Sequence, residues 1–169
     1  QTVAAERGGV NFSLGQEVTL NDLIEHRPDS VILATGSNMI RPFWLPENIC
    51  AEGWVVDLRS TMTDVLQHKG LQSGTIESGT AVICDTDHTE AVYAAAEALN
   101  ARFARTVIVT PRDTIATDVP LVNRQGIIRR IAEQRIKVVT MAEPVWNDAI
   151  AEGKLDLVNT YNGDVTTIE

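Results

Sequence analysis

Two apolar runs on either side of an alanine-rich stretch constrain this chain more than any other feature. Ala81-Val82-Ile83-Cys84 and Thr106-Val107-Ile108-Val109-Thr110 are short, continuous and rich in β-branched residues, the pattern of strands buried on both faces. Between them, Glu90–Phe103 places Val92, Ala95, Ala96, Leu99 and Phe103 at i, i+3, i+4, i+7 and i+11, the stripe of an amphipathic helix. Strand, helix and strand within about thirty residues make a βαβ unit, and a right-handed crossover makes its strands parallel.

The flanking segments extend this unit. A helix is expected over Pro120–Gln134, with Leu121, Ile127, Ile128 and Ile131 inward and Pro120 favourable in the first turn. Lys137–Thr140 reads as another strand, and Lys154–Tyr161 with Asp164–Ile168 as a hairpin closed by a type I′ turn at Asn162-Gly163. Upstream, Gly70–Thr80 is rich in Gly, Ser and Thr and reads as a surface loop. Trp54-Val55-Val56-Asp57 is a short apolar run, after which Ser60 or Thr61 can cap a helix reaching about His68. Arg41–Cys50, with Pro42 and Pro46, reads as an extended crossover between domains. The expected fold class is α/β: a Rossmann-like three-layer domain with a parallel central sheet, plus a small β-meander around Tyr161.

The first part of the chain has its own pattern. Val10-Asn11-Phe12-Ser13-Leu14 alternates with period two and reads as a strand. Thr19 or Asn21 can cap a short helix, Leu20–His26, which Pro28 ends. Asp29–Ser37 carries Val31, Ile32 and Leu33 into Ala34-Thr35-Gly36, an apolar strand expected to end in a turn tight enough to approach a ligand.

Several functions are disfavoured by composition. A net charge of −9 opposes binding to nucleic acid or to anionic membranes, which needs a basic field. Two cysteines, Cys50 and Cys84, are too few for a disulfide scaffold, which favours a reduced, cytoplasmic setting. His26, His68 and His88 are scattered without the spacing of a zinc site, and Cys84 reads as a core thiol. Asp57 and Asp85 near strand ends faintly resemble a phospho-acceptor pocket, but the paired acid and the late lysine of that fold cannot be placed.

A dinucleotide-binding βαβ unit needs glycines between its first strand and helix, so that the backbone can approach the pyrophosphate. Here that turn is Asp85-Thr86-Asp87-His88-Thr89-Glu90, without a glycine. At about 4 Å and an effective dielectric near 20, each carboxylate–phosphate contact would cost roughly 4 kcal/mol. The same acids favour a helix N-terminus by about 0.3–1 kcal/mol each. Thr110-Pro111-Arg112, after the second strand, offers no acid for a ribose, and Arg112 reads as a solvated loop residue more readily than as a 2′-phosphate ligand.

The order of these pieces carries a resemblance. An Ala-Thr-Gly strand, a proline-bearing crossover, Val55–His68, a strand ending in Asp, a helix with Ala96-Glu97-Ala98-Leu99, and Val107–Thr110 follow one another. Together they resemble the C-terminal FAD/NAD(P)-type portion of the trimethylamine dehydrogenase and 2,4-dienoyl-CoA reductase group of NADH:flavin oxidoreductases. In that group an old-yellow-enzyme-like barrel with FMN and a 4Fe–4S cluster precedes two nucleotide-type domains. The resemblance implies residues 1–45 as an incomplete FAD-type half-domain and residues 46–169 as an inserted NAD(P)-type domain with a degenerate glycine loop. It implies a non-catalytic segment of a larger oxidoreductase, with no cofactor held in the segment itself. FMN and 4Fe–4S, with FAD, ADP or NAD(P), belong to the parent flavoprotein. Ala34, Thr35 and Gly36 would lie close to the dinucleotide of the FAD-type half. The implied partners are the barrel and the rest of that half-domain, and an electron-transfer partner. A freestanding Rossmann-like nucleotide-binding module is the other reading.

Overall fold

The computed structural model describes residues 2–36, 38, 40–67 and 77–169. By its internal contacts the chain divides into two units, Gln1–Asn38 and Met39–Glu169.

In the larger unit, β1 (Glu77–Cys84), β2 (Phe103–Val109) and β3 (Lys137–Val139) form a parallel sheet in that order. Val82 and Ile83 lie opposite Val107 and Ile108, and Val107 and Ile108 lie opposite Lys137 and Val138. Side chains alternate across a strand, so the apolar run of β2 serves two cores. Ile108 joins Ile83 in a cluster with Val92, Tyr93, Ala96 and Leu99 of α5 (Glu90–Asn100) and Ile127 and Ile131 of α6 (Leu121–Glu133). Val107 and Val109 point the other way, onto Ala142, Leu157 and Ile168. Those three come from an antiparallel meander of β4 (Ala142–Val145), β5 (Leu155–Asn159) and β6 (Val165–Ile168). Helices, parallel sheet and meander thus form three layers, with the meander, expected as an addition to a three-layer domain, itself covering one face of the sheet; each fully buried aliphatic side chain stabilises them by about 1.5–3 kcal/mol.

Details differ from the sequence reading, each for a local reason. Helix α5 stops at Asn100 and Phe103 opens β2, so the stripe residue at i+11 belongs to a strand. Leu121 and Ile128 of α6 are exposed; Ile127 and Ile131 alone supply its buried face. Residues 77–80 of the expected loop are strand, with an irregular register between Glu77 and Thr80 where Gly79 takes φ 145°. The remainder of that loop, and His68, lie outside the described residues. The hairpin tip spans Thr160–Asp164 rather than two residues: among Asn162 and Gly163 only Gly163 has positive φ, so the turn is not type I′. Pro144 sits on β4, which pairs only with β5, an edge position that needs no donated N–H.

The crossover is not extended throughout, because α3 (Glu47–Ala51) follows Pro46 and buries Ile49. Trp54–Asp57 forms no strand, and Asp57, not Ser60 or Thr61, caps α4 (Leu58–Gln67): its Oδ1 accepts from the Ser60 N–H at 2.9 Å. Within this unit Trp44 stacks on Trp146, ring centroids 6.0 Å apart and planes 16° from parallel.

The smaller unit holds α1 (Thr2–Arg7) and α2 (Leu20–His26). Thr19 caps α2 through a capping box with Asp22, and Arg27, in a left-handed conformation, ends it before Pro28. Neither expected strand forms. Val10–Leu14 and Val31–Leu33 have no strand partner among the described residues, and Leu14, Ile32 and Leu33 are more than four-fifths exposed. A strand's backbone groups must bond to a neighbour, and no neighbour meets these runs.

Candidate functional site

In open α/β sheets, ligands bind in the crevice beyond the carboxyl ends of the strands. That end of the parallel sheet is built here by the turn from β1 to α5 and the loop from β2 to α6, and a buried polar network fills it. The Asp85 N–H donates to the Val109 carbonyl at 2.8 Å, carrying the ladder one residue past β1 and fixing the side chain above the sheet. Its Oδ1 accepts from the His88 N–H at 2.9 Å and its Oδ2 from the Tyr93 hydroxyl at 2.6 Å. Tyr93 stands on the second turn of α5 and in turn accepts from the Ala116 N–H at 2.5 Å. Asp85, His88 and Tyr93 are all fully buried. Burial, then the hydrogen bond to Asp85, pushes the Tyr93 phenol well above its ordinary range, so it serves as a donor.

His88 and Ala116 adopt left-handed backbone conformations, φ 56° and 57°, which cost non-glycine residues roughly 1 kcal/mol or more. Met141, following β3, does the same at φ 53°. Each strand of the parallel sheet is therefore followed by such a residue. The first two are held by the network, since their N–H groups bond to Asp85 and to Tyr93. The Met141 N–H donates to the Arg112 carbonyl at 2.9 Å. The His88 ring lies 3.5 Å from Thr110 Oγ1 through Nε2, while Nδ1, 3.4 Å from Asp85 Oδ2, has no hydrogen-bond partner.

The acids of the turn divide their roles. Asp87 Oδ1 accepts from the N–H and the hydroxyl of Thr89, the residue before α5, whose own side chain makes no capping bond. Glu90, in the first turn, accepts from Asn123. The turn's acid at the strand end faces the protein, not the helix N-terminus. Arg112 is engaged by its own loop, donating to Thr117 and pairing with Asp118 at 3.0 Å. That bond holds the Asp118 carboxyl below the ordinary carboxylate range.

Other sequence candidates are dispersed. Ala34, Thr35 and Gly36 belong to the smaller unit and are exposed; Gly36 has the left-handed turn, φ 77°, but no strand leads into it. Desolvation pushes the Cys84 thiol up to about 11, away from nucleophilic use. Asp57 is a helix cap. No group of three or more His, Cys, Asp or Glu side chains among the described residues is arranged to hold a metal ion. No helix among them is long and apolar enough to cross a membrane. Sequence reasoning missed Tyr93 and Ala116, and met Thr110 only as the end of the second strand. The signal for Tyr93 was present: it is the one polar-tipped residue beside Val92 on an otherwise aliphatic buried face, eight positions after a strand-terminal acid.

The parallel sheet, its helices and the meander define a Rossmann-like α/β fold. Among solved structures the likeness is to an amine dehydrogenase, an amine oxidase and a CoA reductase. A 2-naphthoyl-CoA reductase, in complex with 2-naphthoyl-CoA, matches 99% of this chain at 21% identity and a TM-score of 0.68. The 6-hydroxypseudooxynicotine amine oxidase of Pseudomonas geniculata N1 matches 92% at 15% identity and a TM-score of 0.66. The histamine dehydrogenase of Rhizobium sp. 4-9 matches 66% at 18% identity and a TM-score of 0.53. The chain spans only 23%, 22% and 16% of those proteins. No protein family and no curated protein matches the sequence. The resemblance read from the order of motifs is thus met at the level of fold.

Proposed function

We propose that this chain is a segment of a flavin-dependent oxidoreductase of amine dehydrogenase or enoate/dienoyl reductase type, in which it is a non-catalytic scaffold. One observation carries the reading. The ligand crevice of its nucleotide-type sheet is filled by the Asp85 carboxylate, bonded to Tyr93 and His88, where a pyrophosphate would need bare backbone N–H groups. A pyrophosphate does not fit that turn without displacing the buried Asp85 side chain.

In this reading residues 1–45 belong to an FAD-type half-domain and 46–169 to the inserted domain. Ala34, Thr35 and Gly36 then lie against the dinucleotide once the rest of that half is present, with the positive φ of Gly36 supporting a close backbone approach. The exposed Leu20, Ile24, Ile32 and Leu33 support burial against the remainder of the same polypeptide. FMN and a 4Fe–4S cluster are assigned to the barrel of the parent, which works in the cytoplasm and passes electrons to a separate partner. Calorimetric titration of NAD, NADP, ADP, FAD and FMN into the chain tests the scaffold role. The expected result is no binding at millimolar concentration, an interaction weaker than about 4 kcal/mol. A micromolar dissociation constant lost on Asp87→Asn would instead make the chain a nucleotide-binding module.

A further inference from the structure

We propose that the pocket around Asp85 is a carboxylate-binding site that the chain fills with its own side chain. The receptor consists of the Tyr93 hydroxyl, the His88 backbone N–H and the His88 imidazole; Asp85 is the tethered ligand. Both carboxylate oxygens are engaged, Oδ1 by His88 at 2.9 Å and Oδ2 by Tyr93 at 2.6 Å. The receptor groups are themselves fully buried, which makes this a formed pocket and not a surface contact.

The His88 ring supplies the independent observation. Its Nδ1 is buried without a hydrogen-bond partner, although it lies only 3.4 Å from Asp85 Oδ2. Nε2 lies 3.5 Å from the Thr110 hydroxyl, and Thr110 Oγ1 also accepts from the Arg112 N–H. The imidazole is thus a third polar group beside the carboxyl group, and its hydrogen bond to that group is not made. Asp85 cannot close that gap. Its backbone is pinned to Val109, and one methylene separates it from the carboxylate. An untethered carboxylate has the freedom to do so.

The two left-handed residues give the carboxyl group a structural task. Ala116 is tied to the Tyr93 oxygen and His88 to Asp85 itself, so the loops after β1 and β2 are ordered around this one side chain. The inference does not depend on the chain's place in a larger flavoenzyme. A failure to bind carboxylate would remove it and leave the scaffold reading untouched.

The test uses the full chain with Asp85→Ala and follows thermal unfolding by circular dichroism in sodium formate against sodium chloride at equal ionic strength. The variant is expected to melt below the wild type. It should regain roughly 4 °C when formate reaches about ten times its dissociation constant, and rise with the logarithm of formate beyond it. The wild type, its pocket already filled, should gain nothing over chloride, and Asp85→Ala combined with Tyr93→Phe should lose the response. A folded Asp85→Ala variant that responds to formate no more than the wild type does overturns the proposal. Asp85→Asn decides the case in which Asp85→Ala does not fold in either salt. It keeps the shape without the charge: a midpoint below the wild type, unmoved by formate, supports an anion receptor, and a wild-type midpoint overturns it.

Discussion

Val107-Ile108-Val109 and Val31-Ile32-Leu33 are nearly the same tripeptide, yet Ile108 is fully buried and Ile32 is 90% exposed. The first lies between two paired strands, with helices on one face and a meander on the other. The second has no strand partner among the described residues. An apolar run therefore encodes a demand for burial, and the surrounding elements decide whether it is met. The same contrast holds for helices. Helix α5 buries Val92, Tyr93, Ala95, Ala96 and Leu99, whereas the well-capped α2 buries nothing.

Replacing Ile108 with alanine is the strongest challenge to this contrast. It is expected to destabilise the chain by about 2–5 kcal/mol in urea unfolding, whereas Ile32→Ala should stay within roughly 0.5 kcal/mol. Equal effects would mean that the smaller unit carries a core of its own. Next comes Tyr93→Phe, which strips Asp85 Oδ2 of its donor and the Ala116 N–H of its acceptor. A loss of about 2 kcal/mol is expected, and a neutral result would show that water replaces the phenol. Thr106 tests the core in the opposite direction. Its hydroxyl is buried without a hydrogen-bond partner, so Thr106→Val should stabilise the chain by about 1 kcal/mol in the same assay.

The smallest effect belongs to the meander. The Thr167 hydroxyl at 2.6 Å and then Asn147 hold the Asp156 carboxyl below its ordinary range. A carboxyl depressed in the folded state adds stability that is full above its unfolded pKa, about 4, and is lost as pH falls through the folded value. Asp156→Asn should flatten the acid side of the melting profile by a small amount, because the group is exposed and screened. A profile as steep as that of the wild type would assign the acid sensitivity elsewhere.

These contrasts also mark what could be read in the sequence. The βαβ unit was legible because its signals are local: two β-branched runs, a helical stripe, and a connection of the right length. The box at Thr19 and Asp22 was half legible, since Thr19 was one of two caps weighed. Val10–Leu14 and Val31–Leu33 carried valid strand patterns, but a strand exists only with a partner, and partners are not local. The hairpin tip was misjudged because Asn-Gly also fits a longer loop: Asn159 Oδ1 accepts from the N–H groups of Tyr161 and Asn162, leaving only Gly163 left-handed. At the candidate site, the missing glycines and the strand-terminal acid were visible. Where that acid points was not, because Tyr93 reaches it, and Ala116 reaches Tyr93, through tertiary packing.

The stacked pair Trp44 and Trp146 gives this molecule an optical signature of its own. Two indoles 6.0 Å apart and nearly parallel fix each other in an asymmetric aromatic environment, so they should contribute to the near-ultraviolet dichroism, distinct from the far-ultraviolet signal of the helices. One ring belongs to the crossover beside Leu45 and the other follows β4. That near-ultraviolet signal therefore works as a short-range ruler: its disappearance at a temperature where the helices persist would record the crossover peeling away from the meander before the α/β core gives way.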